Sequence, residues 1–368
     1  MDKWIINRGD KEMKRWMYFI LFIFLLAMGA LIGTKQTSLF QEHEVRGAID
    51  IGSGTTNLKV AKIDPKTNKI ISILYEKTVP VGYQKQLEQS TNHRFDDQVM
   101  QEGIASIKQL KELAADHHAS KVVAIATAAF REAANGKEFA QEIKKQTGVQ
   151  VRVIDQDEEG ILAFRGAIAL TTVQPEQAVV WDIGGGSMQF TTLSPEGTYL
   201  IEHGKLASIP FRNAIIEQIE NKELTQDSSP NPMNESQMQA ALEYASKKAE
   251  QTAPFFKEKL LQPTTQVLAV GNLFNLGIKP LVEKDPIMTS GNKKSGKTVM
   301  HESQLIEALT HLKDRSDAQL SEFSMPEIAV SNPLLVAGYM QGLHIHHVEF
   351  VRVNNADGAL TYPAYWTN

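Results

Sequence analysis

Two short segments combine residue types that could bind phosphate. Residues 47–56 read GAIDIGSGTT and residues 180–187 read VWDIGGGS, so each apolar stretch reaches an Asp and then breaks into glycines and hydroxyl residues. A short apolar stretch predicts a buried strand, and glycines let the backbone turn tightly and approach a ligand closely. The backbone N–H groups and hydroxyls that follow could bind phosphate oxygens. The predicted phosphate-binding residues are Gly52, Ser53, Gly54 and Thr55 in the first segment and Gly184, Gly185, Gly186 and Ser187 in the second.

Each segment also places one Asp where its strand should end. Asp50 and Asp182 could hold a hydrated Mg²⁺ that neutralises the phosphate oxygens. A single Gly-rich loop is weak evidence because ordinary turns contain similar residues, but the repeated Asp-Ile-Gly is more specific. The pattern predicts two similar lobes that form one phosphate clamp. It resembles the actin-like ATPase superfamily, and this resemblance implies a two-lobed α/β fold of the ribonuclease H-like type with an interlobe cleft.

A closer family resemblance lies between the two segments. Residues 122–125 (VVAI) lead into residues 126–135 (ATAAFREAAN), and residues 147–154 (TGVQVRVI) lead into residues 157–160 (DEEG). This order resembles the exopolyphosphatase/guanosine pentaphosphate phosphohydrolase (Ppx/GppA) family from about Arg46 to about Phe190, and the resemblance is weaker beyond. It implies a Mg²⁺-dependent hydrolase that releases terminal phosphate from polyphosphate or from a guanosine pentaphosphate-like nucleotide.

Hydrolysis of a phosphoanhydride also needs a group that orients and activates the attacking water. Glu158 and Glu159 are candidates at a predicted helix start, where the helix dipole favours a carboxylate. The same residues equally form an ordinary acidic first turn without a catalytic role. The family resemblance assigns the catalytic glutamate to Glu159. Arg131 could clamp a phosphate through two hydrogen bonds or pair with a helix-start acid, and the resemblance favours the phosphate contact.

Other positions depart from the family pattern and support different hypotheses. After the second loop the family has Thr-Glu, whereas this chain has Met188 and Gln189, which removes a carboxylate that could help hold the metal. Asp-Glu-Glu-Gly followed by Gly-Gly-x-Ser-x-Gln also resembles apyrase-like nucleoside tri- and diphosphate hydrolases, in which Gln189 would position the water. The altered motifs also leave open a catalytically weak, membrane-tethered sensor of phosphate ligands.

Composition narrows the class of protein and its partners. The 368 residues are 42% hydrophobic and 22% charged, as in a globular chain of about two domains. A net charge of −5 argues against a nucleic-acid partner. The chain has no cysteine, which excludes a disulfide framework and a thiolate metal site. A polyphosphate or phosphorylated nucleotide is therefore the expected partner, and a homodimer stays open.

The N-terminal part of the sequence predicts a membrane anchor. Residues 16–33 carry no charge and would span roughly 27 Å as a helix, close to the thickness of a bilayer core. Basic residues are concentrated before this stretch, which places the basic N-terminus (1–15) in the cytoplasm and the rest of the chain outside it. A cleaved signal peptide is the alternative. Residues 34–45 are polar and are predicted to form a tether.

The soluble part alternates between predicted strands and helices, which favours layered α/β structure. Strands are predicted at residues 70–75, 121–126, 151–154, 178–183, 266–270 and 348–353, and helices at residues 97–115, 136–147 and 158–170. We predict that residues 46–156 form lobe I with the first loop, and that residues 157–368 form lobe II with the second. Part of the C-terminal segment could return to lobe I.

The charge bias around residues 16–33 makes the topology testable. An alkaline phosphatase fused after Asn368 should be active in bacterial cells, because that enzyme folds only outside the cytoplasm. A green fluorescent protein at the same position should be dark after Sec-dependent export. Fusions that lack residues 1–33 serve as the control and should reverse both signals. A fluorescent, phosphatase-negative full-length fusion would place the soluble part in the cytoplasm.

Overall fold

The computed structural model describes residues 16–17, 43–204, 206–225, 228–283 and 298–366. Two mixed β-sheets organise this part of the chain. The first sheet has five strands in the order β3-β2-β1-β4-β5. Its strands are β1 (Glu44–Ile51), β2 (Thr55–Ile63), β3 (Ile70–Pro80), β4 (Lys121–Ala126) and β5 (Val151–Val153).

The second sheet lies in the C-terminal half of the chain. It has six strands in the order β10-β11-β9-β6-β7-β8. Its strands are β6 (Ala178–Ile183), β7 (Met188–Leu193), β8 (Tyr199–His203), β9 (Gln266–Val270), β10 (Thr298–His301) and β11 (His347–Phe350).

Helices connect the strands and cover both sheets. The α-helices are α1 (Tyr83–Gln89), α2 (Asp97–Asp116), α3 (Ala128–Glu132), α4 (Gly136–Thr147), α5 (Gln156–Ala169), α6 (Ser208–Ala214), α7 (Glu235–Ala249), α8 (Pro254–Leu260), α9 (Lys279–Glu283), α10 (Glu302–Thr310), α11 (Ser331–Gly342) and α12 (Asn355–Thr361). Short 3₁₀ segments cover Pro175–Gln177, Asp317–Leu320, Pro326–Ile328 and Pro363–Tyr365, and π-helical turns cover Ile215–Ile219 and Leu273–Ile278.

The two sheets repeat one arrangement of strands. Strand β1 pairs antiparallel with β2 and parallel with β4, and β6 pairs in the same way with β7 and β9. Strands β5 and β11 then extend the two sheets in parallel. Central strands that are covered on both faces have near-continuous apolar sequences, which explains the nearly complete burial of β1 and β6. The loops after β1 and β6 therefore occupy equivalent positions in the two sheets.

Helices α5 and α12 lie between the sheets. Each helix comes after one sheet in the sequence and packs mainly on the other sheet. Helix α5 follows β5 of the first sheet, yet Ala163, Phe164 and Ala167 on this helix pack with β6 and β9 of the second. Helix α12 follows the second sheet and packs with β1, β2 and β4 of the first. The two helices touch so closely that a Cβ atom on Gly358 would lie 2.0 Å from the carbonyl oxygen of Leu162. The exchanged helices hold the two sheets together.

Most of the predicted elements appear with small changes at their ends. The strands at 121–126, 178–183 and 266–270 and the helix at 136–147 are confirmed with the same bounds. Helix α5 begins at Gln156 and not at Glu158, because Asp155 caps it and accepts a 2.8 Å hydrogen bond from the Glu158 N–H. The last strand ends at Phe350, before the predicted 353, because the chain there crosses over to α12. The α/β architecture built on two sheets is confirmed, and the domain boundary near Gln156 stays a prediction.

The predicted anchor at residues 16–33 lies outside the described residues, except for Trp16 and Met17. Within the part of the chain that the structure describes, no helix combines the length and the apolar character needed to cross a bilayer. The anchor and the tether therefore stay predictions from the sequence.

The close contact between α5 and α12 yields a prediction about stability. The Gly358→Ala substitution should lower the free energy of unfolding by about 3 kcal/mol or more, because overpacking against backbone cannot relax by a side-chain rotation. Gly82→Ala is the control, since the nearest atom to a new Cβ there is Lys85 Cβ at 3.9 Å. Denaturant unfolding of both variants measures the difference. Equal stability would mean that the two helices do not pack this closely.

Candidate active site

The two predicted phosphate loops have the same backbone geometry. The Gly52 N–H donates to the Thr55 carbonyl at 2.9 Å, and the Gly184 N–H donates to the Ser187 carbonyl at 2.8 Å. In each loop, carbonyl oxygens accept hydrogen bonds from the segment that begins the next helix. Those bonds are Val81 to Gly54 and Gln84 to Ser53 in the first loop, and Ser208 to Gly184 and Ile209 to Gly185 in the second.

This arrangement directs carbonyl groups into the protein and leaves several N–H groups for a ligand. Among the described residues, the N–H groups of Ser53, Gly54, Gly185 and Gly186 donate to no backbone carbonyl. Gly54, Gly185 and Gly186 are also exposed. Consecutive free N–H groups at a turn form a concave site for an anion. The two loops therefore have the geometry that the sequence pattern predicts for a phosphate cradle.

Asp50 and Asp182 lie at the ends of β1 and β6 and influence each other electrostatically. Burial raises the pKa of Asp50 to about 7, and the Glu159 carboxylate adds to the shift, while hydrogen bonding by Asn355 opposes it. Burial also raises the pKa of Asp182 to about 7, again with a contribution from Glu159 and a smaller one from Asp50. The structure thus brings three acidic side chains from both halves of the chain close enough to repel one another.

The donor set at this place fits a hydrated Mg²⁺. Asp50 Oδ1 is buried and has no hydrogen-bond partner, which is costly for a carboxylate unless a cation binds it. Mg²⁺ prefers oxygen ligands and usually binds one or two carboxylates while water and substrate phosphates complete its shell. In the described parts of the chain no group of three or more acidic or His side chains is arranged to hold a metal. A Mg²⁺ ion held by Asp50 and Asp182 would complete its coordination with water and substrate phosphates.

Glu159 lies on the first turns of α5 and is held by Arg131. Arg131 follows β4 on the short helix α3, and its Nη1 donates to Glu159 Oε2 at 2.9 Å and to the Ile154 carbonyl at 3.0 Å. Burial raises the pKa of Glu159, and the charge and hydrogen bond of Arg131 partly oppose that shift. The pairing with a helix-start acid, which the sequence left open for Arg131, is thus present, and the acid is the predicted base itself.

Glu158 faces a different environment from Glu159. Its Oε1 accepts a 2.7 Å hydrogen bond from the Tyr365 hydroxyl, which lies in the C-terminal 3₁₀ segment. Glu158 does not contribute to the shifted pKa of Asp50 or Asp182, whereas Glu159 does. The structure therefore places the two adjacent glutamates, which their helix-start position alone does not distinguish, in different environments.

Both ends of the Gln189 amide are occupied. Its Nε2 donates to Asp182 Oδ2 at 2.9 Å, and its Oε1 accepts from Gln156 Nε2 at 3.2 Å. Gln189 is also only 1% exposed. The amide therefore orients Asp182 and connects it to the first turn of α5.

The sequence did not predict that three further residues lie beside the carboxyl groups of the site. Gln156 and Asn355 are the first residues of α5 and α12, and their positions depend on how the two sheets exchange these helices. Gly271 follows β9 with a φ of +90°, and a Cβ atom there would lie 2.4 Å from Asp182 Oδ1. In the same turn as Asn355, Asp357 forms a buried ion pair with Lys59 at 2.7 Å.

A cavity of about 580 Å³ opens beside Arg131. Its walls come from α3, the start of α4 and the β5–α5 connection, and they include Lys137 and Asp155. Arg131 therefore links this cavity to Glu159.

Comparison with known proteins identifies the family. A sequence model of the Ppx/GppA phosphatase family matches residues 59–350, which is most of the chain. The chain belongs to the Ppx/GppA phosphatase family. The match continues far beyond Phe190, where the motifs alone became weak. The duplicated sheets agree with the actin-like ATPase architecture of this family, so the predicted relationship is confirmed.

Solved structures with the same fold include two from this family. A crystal structure of the Aquifex aeolicus Ppx/GppA member has a TM-score of 0.70 at 18% identity and covers 89% of this chain and 99% of that one. An exopolyphosphatase from Cytophaga hutchinsonii has a TM-score of 0.64 at 17% identity, over 86% of this chain and 96% of that one. Nucleoside triphosphate hydrolases from Neospora caninum have a TM-score of 0.56 at 12% identity, over 93% and 97%. These likenesses show the fold.

A curated relative resembles a shorter part of the chain. The bifunctional 3-dehydroquinate synthase/phosphatase of Fusobacterium nucleatum is 24% identical over 162 residues, which are 43% of this chain. The aligned part covers 24% of that relative, so the chain spans about a quarter of its length.

The shifted aspartates predict how stability depends on pH. Unfolding returns Asp50 from a pKa of about 7 to about 3.8, so between these values the folded protein holds protons that the unfolded chain releases. The free energy of unfolding of the metal-free protein should therefore fall as pH rises from about 4 to 7, and stay low above 7. Asp50→Asn removes one of the buried charges. It should raise the melting temperature most at pH 8 and clearly less at pH 5, where only part of the destabilisation has developed.

Thermal unfolding in EDTA between pH 5 and pH 8 measures this effect. The difference at pH 8 should be on the order of a few kcal/mol, since each pKa unit corresponds to about 1.4 kcal/mol. Glu112→Gln on the exposed face of α2 is the control and should shift stability equally at all pH values. A pH-independent effect of Asp50→Asn would contradict the buried, repelling environment of this carboxyl.

Proposed function

We propose that this protein hydrolyses phosphoanhydrides as an exopolyphosphatase or guanosine pentaphosphate phosphatase does, and releases the terminal phosphate. The convergence of two N–H-rich loops with Asp50, Asp182 and Glu159 carries this proposal, since one place then offers anion binding, cation ligands and a base. Membership of a phosphatase family supports the same reaction class.

In the proposed reaction, the two loops bind the terminal phosphate groups through backbone N–H groups and the hydroxyls of Ser53 and Ser187. Asp50 and Asp182 would hold Mg²⁺, which neutralises charge on the phosphate oxygens when it is bound. Both aspartates must lose their protons for this role, and an ion that replaces their mutual repulsion with attraction favours that loss.

Glu159 orients a water molecule and accepts its proton as the water oxygen attacks phosphorus. The bond from phosphorus to the bridging oxygen then breaks, and the rest of the substrate leaves. A base acts best when its pKa lies near the working pH, and the raised pKa of Glu159 supports that role. Among described residues Arg131 uses only Nη1 for hydrogen bonds, so its other N–H groups are available for a substrate phosphate.

The remainder of the substrate could extend into the cavity beside Arg131. Its volume of about 580 Å³ is large enough for several phosphate groups or a nucleoside, and its lining includes Lys137 as a second positive charge beside the acidic Glu138 and Asp155. The anchor predicted at residues 16–33 would place this reaction at the outer face of the cytoplasmic membrane.

The assignment of Glu159 as the base is tested by substitution. Glu159→Gln should lower phosphate release by roughly 10²–10⁴-fold, the usual effect of losing a general base. Binding of the same substrate should change little, because the amide keeps the shape of the side chain and the loops are intact. The measurements are phosphate release from polyphosphate, guanosine pentaphosphate and ATP, and substrate binding by calorimetry, with Mg²⁺ present.

Glu158→Gln is the matched control. Its side chain accepts from Tyr365 and lies away from the aspartates, so the variant should keep most of the activity. Equal loss in both variants would remove Glu159 from its assigned role. Wild-type protein that binds these ligands without releasing phosphate would favour the sensor hypothesis, and ATP as the preferred substrate would favour the apyrase-like one.

A further inference from the structure

A chain of neutral amides connects the turn that carries the base to an aspartate of the other sheet. Gln156 is the first residue of α5, three positions before Glu159, and its Nε2 donates to Gln189 Oε1 at 3.2 Å. Gln189 in turn donates to Asp182 Oδ2 at 2.9 Å. Helix α5 follows the first sheet in the sequence, while Gln189 and Asp182 belong to the second. These hydrogen-bonded side chains therefore connect the two halves of the molecule.

The repeated architecture places a second amide in the equivalent position. Asn355 is the first residue of α12, which follows the second sheet. Its backbone N–H and, to a smaller extent, its side-chain amide stabilise the charged form of the Asp50 carboxyl of the first sheet. The turn that carries Asn355 is itself held in place. The Asn354 side chain accepts from the Ala356 N–H at 3.1 Å, and Asp357 binds Lys59 of β2 at 2.7 Å inside the core.

A neutral amide side chain is suited to a position beside these carboxyl groups. Three carboxyl groups already repel one another here, so another carboxylate would add repulsion, and a Lys or Arg would compete with a bound cation. An amide donates to a carboxylate without changing the net charge. It can therefore fix one oxygen of an aspartate and leave the other free, as at Asp182, where Oδ2 accepts from Gln189.

We propose that Gln156 and Asn355 are positioning residues, each at the start of the helix that leaves one sheet, and that each orients the cation-binding aspartate of the other sheet. Gln156 acts through Gln189 on Asp182, and Asn355 acts on Asp50. The affinity for the cation then depends on the packing of α5 against α12. This inference rests on the proposed roles of Asp50 and Asp182, and its test uses binding so that it can be judged apart from catalysis.

The test measures Mn²⁺ binding to the full chain through the electron paramagnetic resonance signal of free Mn²⁺. Gln156→Met keeps the length of the side chain and its helix propensity but removes the N–H donor without adding charge. It should weaken Mn²⁺ binding by roughly fivefold, as expected for the loss of one hydrogen bond to a charged group. Asn355→Ala should have a smaller effect, because the backbone N–H that also faces Asp50 is kept. Gln146→Met is the matched control, since this exposed glutamine of α4 bonds only to Glu142 among the described residues. It should bind Mn²⁺ as the wild type does.

A double-mutant cycle separates positioning from a general structural effect. If Gln156 acts through Gln189, the Gln156→Met/Gln189→Met protein should bind Mn²⁺ no more weakly than Gln189→Met alone. In a turnover assay Gln156→Met should lower kcat and leave KM for the phosphate substrate nearly unchanged. Should Gln189→Met fail to fold, the comparison of Gln156→Met with Gln146→Met decides.

Three results would overturn the inference: wild-type affinity in Gln156→Met and Asn355→Ala, additive effects in the cycle, or no Mn²⁺ binding by the wild type. If the cycle behaves as expected but no variant or wild type releases phosphate, the positioning roles stand. In that case the proposed hydrolase function alone fails.

Discussion

The contact between α5 and α12 is the constraint on which the remainder of this structure depends. Each helix leaves one sheet and covers the inner face of the other, and they meet where Gly358 lies against the Leu162 carbonyl. No other residue fits there without moving a helix. Because the predicted base lies on α5 and Asn355 lies on α12, the same contact sets the distance between the two halves of the site. Packing and chemistry are therefore coupled through one helix pair.

Electrostatic repulsion is the second organising effect. Asp50, Asp182 and Glu159 come from different strands and helices, and burial disfavours the charged form of each. Such a cluster lowers the stability of the protein at neutral pH unless a cation joins it. A protein that kept these carboxyls only for structural reasons would be more stable with neutral side chains. The loss of stability that these buried carboxylates cause is best explained by a ligand that brings positive charge. This supports the proposed Mg²⁺-dependent reaction.

The fold shows which contacts are made by Gln189, which departs from the family pattern, and by the C-terminal segment. Gln189 stands where the family has a carboxylate, and it binds Asp182 as a neutral donor. At the C-terminus, Asp357 is neutralised by Lys59 inside the core, and Tyr365 reaches back to Glu158. The neutral Gln189 amide thus adds a hydrogen-bond donor beside Asp182 without adding charge, and the other two contacts tie the C-terminal segment to β2 and α5.

The sequence by itself determined the features that depend on local chemistry. The repeated apolar stretch, Asp and glycines predicted both loops and both aspartates, because strand ends and tight turns follow from the residues at those positions. The strand at 178–183 and the helix at 136–147 were correct to the residue for the same reason. Only the tertiary structure placed Glu159, and not Glu158, beside the two aspartates, revealed Gln156 and Asn355, and showed that Arg131 pairs with Glu159. Those relations join residues far apart in the chain through the exchange of two helices between sheets, and no local pattern encodes that exchange.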